Sequence, residues 1–267
     1  GPEILRDVGN SKMNLHGNRK GMGIMNIALI LSGGIGTRMG VEIPKQYIEV
    51  GGRPVISYCM ESLFQHYEID AVQIVADHDW QNWILKWILG EGDGKQFFDS
   101  GRKKKFKGFS APGENRQLSI LHGLEDIKKY AVDTDYVMIH DAARPCLSQE
   151  LIGFCLKAAG GHDGAIPVLP MKDTVYSSTD GQRISSLLER NELFAGQAPE
   201  VFVLGKYLEA NESLLPDRIL QINGSTEPAV MAGMDIAMIP GEEKNFKITT
   251  QADLERFCRI IERGIDR

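Results

Sequence analysis

The sequence predicts an α/β protein, a mostly parallel sheet with helices on both faces. Three observations point there: strand-like runs that are apolar at almost every position, helical stripes between them, and a strand–helix alternation that repeats along most of the 267 residues. A strand with one face in water would alternate apolar and polar residues, whereas one covered on both faces does not. Alternating strands and helices build right-handed βαβ units, and ligands of such sheets bind beyond the carboxyl ends of the strands.

The elements follow in order. "MNIALILSG" is a continuous apolar run ending in glycine and reads as the first buried strand. "PVISYCMESLFQHYE" spaces Val55, Ile56, Cys59, Met60, Leu63 and Phe64 as one helical face, with Pro54 suited to a first turn. "AVQIVAD" is a second strand, and "DWQNWILKWIL" a helix whose Trp80, Trp83, Ile84, Trp87 and Ile88 form a core stripe. The order then repeats: "FKGFSA" strand, "NRQLSILHGLEDIKKY" helix, "DYVMIHDA" strand, "SQELIGFCLKAAG" helix begun by Ser148, "GAIPVLP" strand.

Between Met171 and Leu193 the alternation breaks. "DTVYSSTDGQRISSLLER" is a hairpin signal turning at Asp180-Gly181. A lone two-stranded hairpin is marginal in water, so residues 171–193 are expected to form an arm that packs on another subunit. The tail resumes with "PEVFVLGKYLEANESLL" as a helix, "DIAMIPG" and "NFKITT" as short strands, and "TQADLERFCRIIERG" as a closing helix capped by Thr249 or Thr250.

The bulk numbers narrow the partners. A chain 42% hydrophobic and 25% charged is long enough for one sizeable core, which predicts a single domain over 25–267. A formal charge of -6 argues against nucleic acid as the main partner, because backbone phosphates are bound by clustered Lys and Arg. The basic run "GRKKKFKG" reads as a solvated loop, with a charged rim that steers an anionic substrate as the alternative. Cys59, Cys146, Cys155 and Cys258 fall in no metal-binding spacing and are expected to be reduced, mostly buried thiols. The absence of a spanning apolar stretch or signal-peptide pattern predicts a cytoplasmic protein with no membrane partner. Residues 1–24 lack periodicity and open on Gly-Pro, as a tag remnant would; they are expected to be mobile and are set aside.

"LSGGIGTRMGVEIPKQ" follows the first strand. A P-loop requires Gly-Lys-Ser/Thr where this loop has Gly36-Thr37-Arg38, and a dinucleotide fingerprint requires a glycine where it has Met39. What remains is a Gly33-Gly34-x-Gly36 turn whose N–H groups can approach an anion, with two cations, Arg38 and Lys45, on the same excursion. Two cations of different geometry suit charge that moves, as when pyrophosphate leaves an α-phosphate. Asp141, at the end of "YVMIH", is the candidate ligand for a divalent metal, with a helix or turn cap as the other reading.

Together these motifs carry a resemblance. "LSGGIGTRMG" with "PKQ", "HDAARPCL", "MKDTV", "ERNELF" and "NFKITTQADL" resemble, in order and spacing, the 2-C-methyl-D-erythritol 4-phosphate cytidylyltransferases and their relatives, the ribitol 5-phosphate cytidylyltransferases. The resemblance implies a Rossmann-like nucleotidyltransferase fold and a Mg2+-dependent reaction of CTP with a polyol phosphate that releases pyrophosphate. It implies that Arg38, Lys45 and Lys247 act on the phosphates, that Ser32, Gly33, Gly34 and Gly36 line the nucleotide, and that Asp141 holds the metal. Within "PGENRQLS", Gly113, Glu114 and Ser119 fall where the family's cytosine-closing segment has them, with Pro112 replacing a glycine. Thr174, Arg190 and Ala198 would serve the acceptor, Arg190 crossing to the partner subunit of a homodimer. Departures from the methylerythritol enzymes gather on the acceptor side: Ala198-Pro199-Glu200 where they have Thr-Pro-Gln, and Thr226-Glu227-Pro228-Ala229 where they have Thr-Asp-Glu-Ala. "FAGQ" is closer to the ribitol enzymes and "HDAARPCL" to the methylerythritol ones, so both acceptors stay open, with methylerythritol phosphate preferred. A non-catalytic nucleotide-binding module is the alternative from another class.

Overall fold

The computed structural model describes residues 23–33, 43–91 and 100–264. In chain order these hold β1 (Asn26–Leu31), a 3-10 turn (Lys45–Tyr47), β2 (Glu49–Val50), β3 (Arg53–Pro54), α1 (Val55–Gln65), β4 (Ala71–Val75), α2 (His78–Leu89), the short α3 (Ser100–Lys103), β5 (Phe106–Ser110), α4 (Arg116–Ile127), β6 (Tyr136–Asp141), α5 (Gln149–Ala159) and β7 (Gly164–Pro170). β8 (Tyr176–Ser177), β9 (Ser186–Leu187), β10 (Phe194–Gly196), β11 (Glu200–Val203), α6 (Leu204–Glu212), α7 (Glu227–Met231), β12 (Ile236–Pro240) and α8 (Gln251–Glu262) complete them.

The main sheet among the described residues has eight strands, ordered β10-β7-β11-β6-β1-β4-β5 with β12 beside β7. β1, β4, β5 and β6 are mutually parallel, and β11 lies antiparallel to both β6 and β7, so those two point the same way. β10 and β11 run against the rest, β10 along Val168–Pro170 and β11 along Gly164–Ala165.

The apolar strand runs follow from the two covered faces. Successive side chains of β1 go to opposite layers: Ala28 and Ile30 join Val72, Ile74 and Met138 under α1, α2 and α5, while Ile27 and Leu29 join Val137 and Ile139 under α4 and α6. Ile84 and Ile88 are buried from the α2 stripe, with Trp80 and Trp83 packed at its edge. Cys59, Cys146 and Cys155 are buried. No helix among the described residues is long and apolar enough to cross a membrane.

Two expectations for the tail are corrected. "PEVFVLGKYLEANESLL" is not one helix: Glu200–Val203 is the strand β11, because the open edge of β6 accepts a β-branched and aromatic segment, and the helix begins at Leu204. "NFKITT" forms no strand; its backbone is tied to the strand region by Ile248 N–H, which donates to the Ala143 carbonyl at 2.8 Å. The hairpin expected at Asp180-Gly181 is present, with Gly181 at φ +70° and Asp180 accepting from the Gln182 and Arg183 amides. Residues 178–187 are all exposed, Ile184 and Leu187 at 66% and 65%. The leading segment 1–22, Gly34, Gly36 and Arg38 lie outside the described residues.

Candidate active site

β1 and β6 deliver their carboxyl ends side by side, Leu31 opposite Asp141. A cavity of about 260 Å³ opens there, bounded by Gly33, Lys45, Gly113, Arg116, Asp141 and Lys247, with Glu114 and Ser119 also in its wall. A larger depression of about 710 Å³ lies by Asn26 and Tyr136, at the other end of the same strands. Volume and chemistry therefore point to different ends. The smaller cavity is taken as the site because charged side chains from four separate segments converge on it.

Asp141 is the centre of that convergence. Its Oδ1 accepts from Arg116 Nε at 3.2 Å and Nη2 at 3.0 Å, and its Oδ2 lies 3.4 Å from Arg144 Nε and 3.6 Å from Lys247 Nζ. Burial by itself would push this carboxyl up, but the charges of Arg116, Lys247 and Arg144 more than offset it and hold Asp141 well below the usual carboxylate range. It is a permanent anion inside a ring of cations.

Each cation is placed by its own local structure. Asn115 caps α4 by accepting from the Leu118 amide, which starts the helix at Arg116 and aims that side chain at β6. Arg116 Nη1 also donates to the Ser225 hydroxyl. Arg144 Nη1 donates to the Asn245 carbonyl at 2.7 Å and so, with the Ile248 bond, lays the segment carrying Lys247 across the cavity mouth. Lys45 opens a 3-10 turn tied back to β1: Gln46 Nε2 donates to the Ser32 carbonyl at 2.9 Å, and the Tyr47 hydroxyl pairs with Ser32 Oγ at 2.7 Å while its ring stacks on Trp80 at 4.1 Å.

The wall opposite is backbone. Ser119 Oγ accepts from the Gly113 amide at 2.9 Å and donates to the Asn115 carbonyl, folding "PGEN" tightly over the start of α4. A Cβ at Gly113 would sit 2.6 Å from Leu118, so only glycine fits this turn.

Not every expected residue reaches the cavity. Ser32 is 1% exposed and its hydroxyl is spent on Tyr47, so its side chain holds the Lys45 turn rather than facing a nucleotide. Ala198 is likewise 1% exposed; its carbonyl accepts from Asn245, and it does not border the cavity at Asp141. Thr174 and Arg190 are exposed on the arm, Arg190 donating to the Lys172 carbonyl at 2.9 Å, and neither borders the cavity of its own chain. Sequence reasoning misses Arg116 and Arg144, which meet at Asp141 although both stand inside recognised motifs, and Ser225, which holds Arg116 and carries no local signal.

A strand-end cavity with a buried carboxylate among fixed cations, closed by a glycine turn at a helix start, defines a phosphate-handling transferase of the nucleotidyltransferase fold. The model of the 2-C-methyl-D-erythritol 4-phosphate cytidylyltransferase (IspD) family matches residues 26–263, and the chain belongs to that family, whose members are CTP-dependent nucleotidyltransferases. It is 32% identical over 240 residues to a ribitol-5-phosphate cytidylyltransferase of Streptococcus agalactiae serotype III (strain NEM316), covering 89% of this chain and 96% of that protein. It is 34% identical over 243 residues to a bifunctional enzyme IspD/IspF of Maricaulis maris (strain MCS10), covering 88% of this chain and 56% of that protein. The fold matches the crystal structure of a 4-diphosphocytidyl-2C-methyl-D-erythritol synthase from Anaerococcus prevotii DSM 20548 with a TM-score of 0.72 at 24% identity, over 90% of this chain and 96% of that one.

Proposed function

We propose that the protein transfers CMP from CTP to a small polyol phosphate, 2-C-methyl-D-erythritol 4-phosphate in the first instance, with release of pyrophosphate. The observation that carries this reading is the approach of Lys247 and Arg116 to Asp141 in a cavity that Lys45 and Gly113 also border. An acceptor phosphate oxygen attacks the α-phosphorus and the bond to pyrophosphate breaks, so negative charge shifts toward the leaving group. Lys45, with Arg38 on the same loop, stabilises the phosphates as that charge moves, and Lys247 faces the reacting centre. Gly113, Glu114 and Ser119 form the wall for the base.

The donor set suits Mg2+. The described residues hold no group of three or more His, Cys, Asp or Glu able to cage a metal, and Asp141 is the buried carboxylate among the described residues that line the cavity. Mg2+ takes one or two carboxylates from a protein and the rest of its ligands from phosphates and water. Held at Asp141, it would neutralise phosphate charge. The arm, with Thr174 and Arg190, supplies the acceptor side to the partner subunit of a homodimer, and a cytoplasmic location fits these substrates.

Ribitol 5-phosphate is the second reading. It is favoured by relatives of that name that match over 96% of their own length, and by "FAGQ". The test is pyrophosphate release with CTP and Mg2+ against both acceptors and a panel of other tetritol and pentitol phosphates. Release with methylerythritol phosphate at the highest kcat/KM supports the first reading, and preference for ribitol phosphate replaces it with the second. Silence across the panel with CTP bound would sink both.

A further inference from the structure

A second buried carboxylate stands behind the site, outside its cavity. Glu200 begins β11 opposite Ile139 and is 9% exposed. Its Oε2 accepts from the Thr226 hydroxyl at 2.6 Å, so the two segments that depart from the methylerythritol enzymes, around Ala198 and Thr226, meet in one bond. The Ser225 hydroxyl also stabilises this carboxylate, and that same hydroxyl receives Arg116 Nη1. Arg116 is thus linked to Asp141 on the cavity side and, through Ser225, to Glu200 on the far side. Burial pushes the Glu200 carboxyl up, and the Arg116 charge is the strongest influence opposing it, so closer approach of the guanidinium favours the ionised form.

The chain has an asymmetry to resolve. Asp141 has three cations on two oxygens, and a divalent cation arriving there must displace or share them. A guanidinium released into a buried setting is costly unless it finds another anion. We propose that Glu200 is a positioning residue that takes up Arg116 when a divalent cation occupies Asp141, and so sets how strongly that cation and CTP support each other's binding. A glutamine, which the methylerythritol enzymes have here, keeps the hydrogen bond to Thr226 but carries no charge to receive a guanidinium. The inference rests on the reading that Asp141 holds the metal, and the experiment separates the two.

Calorimetric titration of CTP without acceptor, with and without Mg2+, gives the gain in CTP affinity that the metal confers, a linkage that turnover does not enter. The wild type is expected to show a clear gain. Glu200→Gln should reduce it by about 10-fold, the scale at which residues behind a metal ligand act, while CTP affinity without Mg2+ stays unchanged. Glu200→Asp should recover part of the gain. Thr226→Val, which removes the 2.6 Å bond and leaves the charge, should keep most of the gain, and Glu200→Met, which removes the charge at similar size, serves as the readout if Glu200→Gln does not fold. A wild-type gain in Glu200→Gln alongside its loss in Asp141→Asn overturns the role of Glu200 and leaves the metal reading standing. Weaker CTP binding by the same factor with and without Mg2+ overturns it too, since that is a structural effect only. An intact gain in Asp141→Asn removes the metal reading itself.

Discussion

The nucleotide side and the arm solve the problem of holding functional groups in opposite ways. Around Asp141 each cation is fixed by something buried: a helix cap for Arg116, a loop carbonyl for Arg144, a stacked tyrosine for the Lys45 turn. On the arm, two-residue strands β8 and β9 close on a well-made turn, yet Tyr176, Ile184 and Leu187 remain open to solvent and the exposed Arg190 donates to the Lys172 carbonyl. Pre-organised charge requires a dry, packed surround, because fixed cations are worth more at low dielectric than in water. An exposed apolar hairpin has the opposite logic: with its apolar side chains open to water it is marginal by itself, and the proposed packing on a partner subunit would cover them. On the proposed function, one chain would carry a finished nucleotide half and an acceptor half that needs a partner subunit as its counterpart.

The sharpest way to break this contrast is to remove the centre of the finished half. Asp141→Asn leaves Arg116, Arg144 and Lys247 facing one another without their common anion. Turnover should fall on the order of 10²- to 10³-fold, as for loss of a principal electrostatic group in other active sites, with the far-ultraviolet circular dichroism spectrum retained. Lys45→Ala, and Arg38→Ala on the same loop, should each cut turnover on the order of 10³-fold. Near-normal turnover in these variants would refute the assignment of the cavity as catalytic.

The unfinished half is tested by complementation. If Arg190 serves the partner's site, Arg190→Ala and Lys247→Ala chains are each inactive alone. Mixed by unfolding and refolding together, they form heterodimers with one intact site, and the pool should recover roughly a quarter of wild-type activity, since half the dimers are mixed and each has one of two sites. No recovery, with dimers verified by ultracentrifugation, would place Arg190 in its own chain's site, and full activity of Arg190→Ala alone would place it outside catalysis. Replacing Ile184 and Leu187 together by Asp should yield monomers that bind CTP within a few-fold of wild type but turn over poorly. Loss of CTP binding in that variant would mean the nucleotide half is not self-sufficient.

The same division explains what could be read from sequence. The parallel core was legible because a strand covered on both faces has no polar alternation to disguise it, and Asp141 because a charge ending an apolar run stands at a strand's end. The strand Glu200–Val203 was not, because "EVFV" runs directly into the helix-favouring "LGKYLEA" and pairs with β6 and β7 from far along the chain. Arg116 and Arg144 lay inside recognised motifs, but their meeting at Asp141 joins residues 25 and 3 positions away, and only the longer of these is a matter of tertiary structure. Ser32 and Ala198 are buried, which motif position by itself does not disclose. Ser225 is a lone hydroxyl whose partner is 109 residues distant, with nothing local to mark it.

The smallest predicted effect lies where the finished half is anchored at its edge. Lys247 sits three residues before Thr250, whose hydroxyl accepts from the Asp253 amide while the Asp253 carboxylate receives the amides and hydroxyls of Thr249 and Thr250. This capping box ends the segment that carries Lys247 and starts α8. Thr250→Ala should cost about 1 kcal/mol of stability, or a fall in Tm of about 2–4 °C, read by thermal denaturation at neutral pH. Burial by itself raises the Asp253 carboxyl, but the bonds from Thr249 and Thr250 outweigh it and hold the group below its ordinary value. A folded-state pKa that is depressed contributes stability above the unfolded value, about pH 4, and loses it as the pH falls through the folded one. The stability gap between wild type and Asp253→Asn should therefore be full at pH 7 and close on acidification below about pH 4. A gap that stays constant down to pH 2 would show that the carboxylate's charge does not hold this turn, and that Lys247 owes its place to the Arg144 and Ala143 contacts alone.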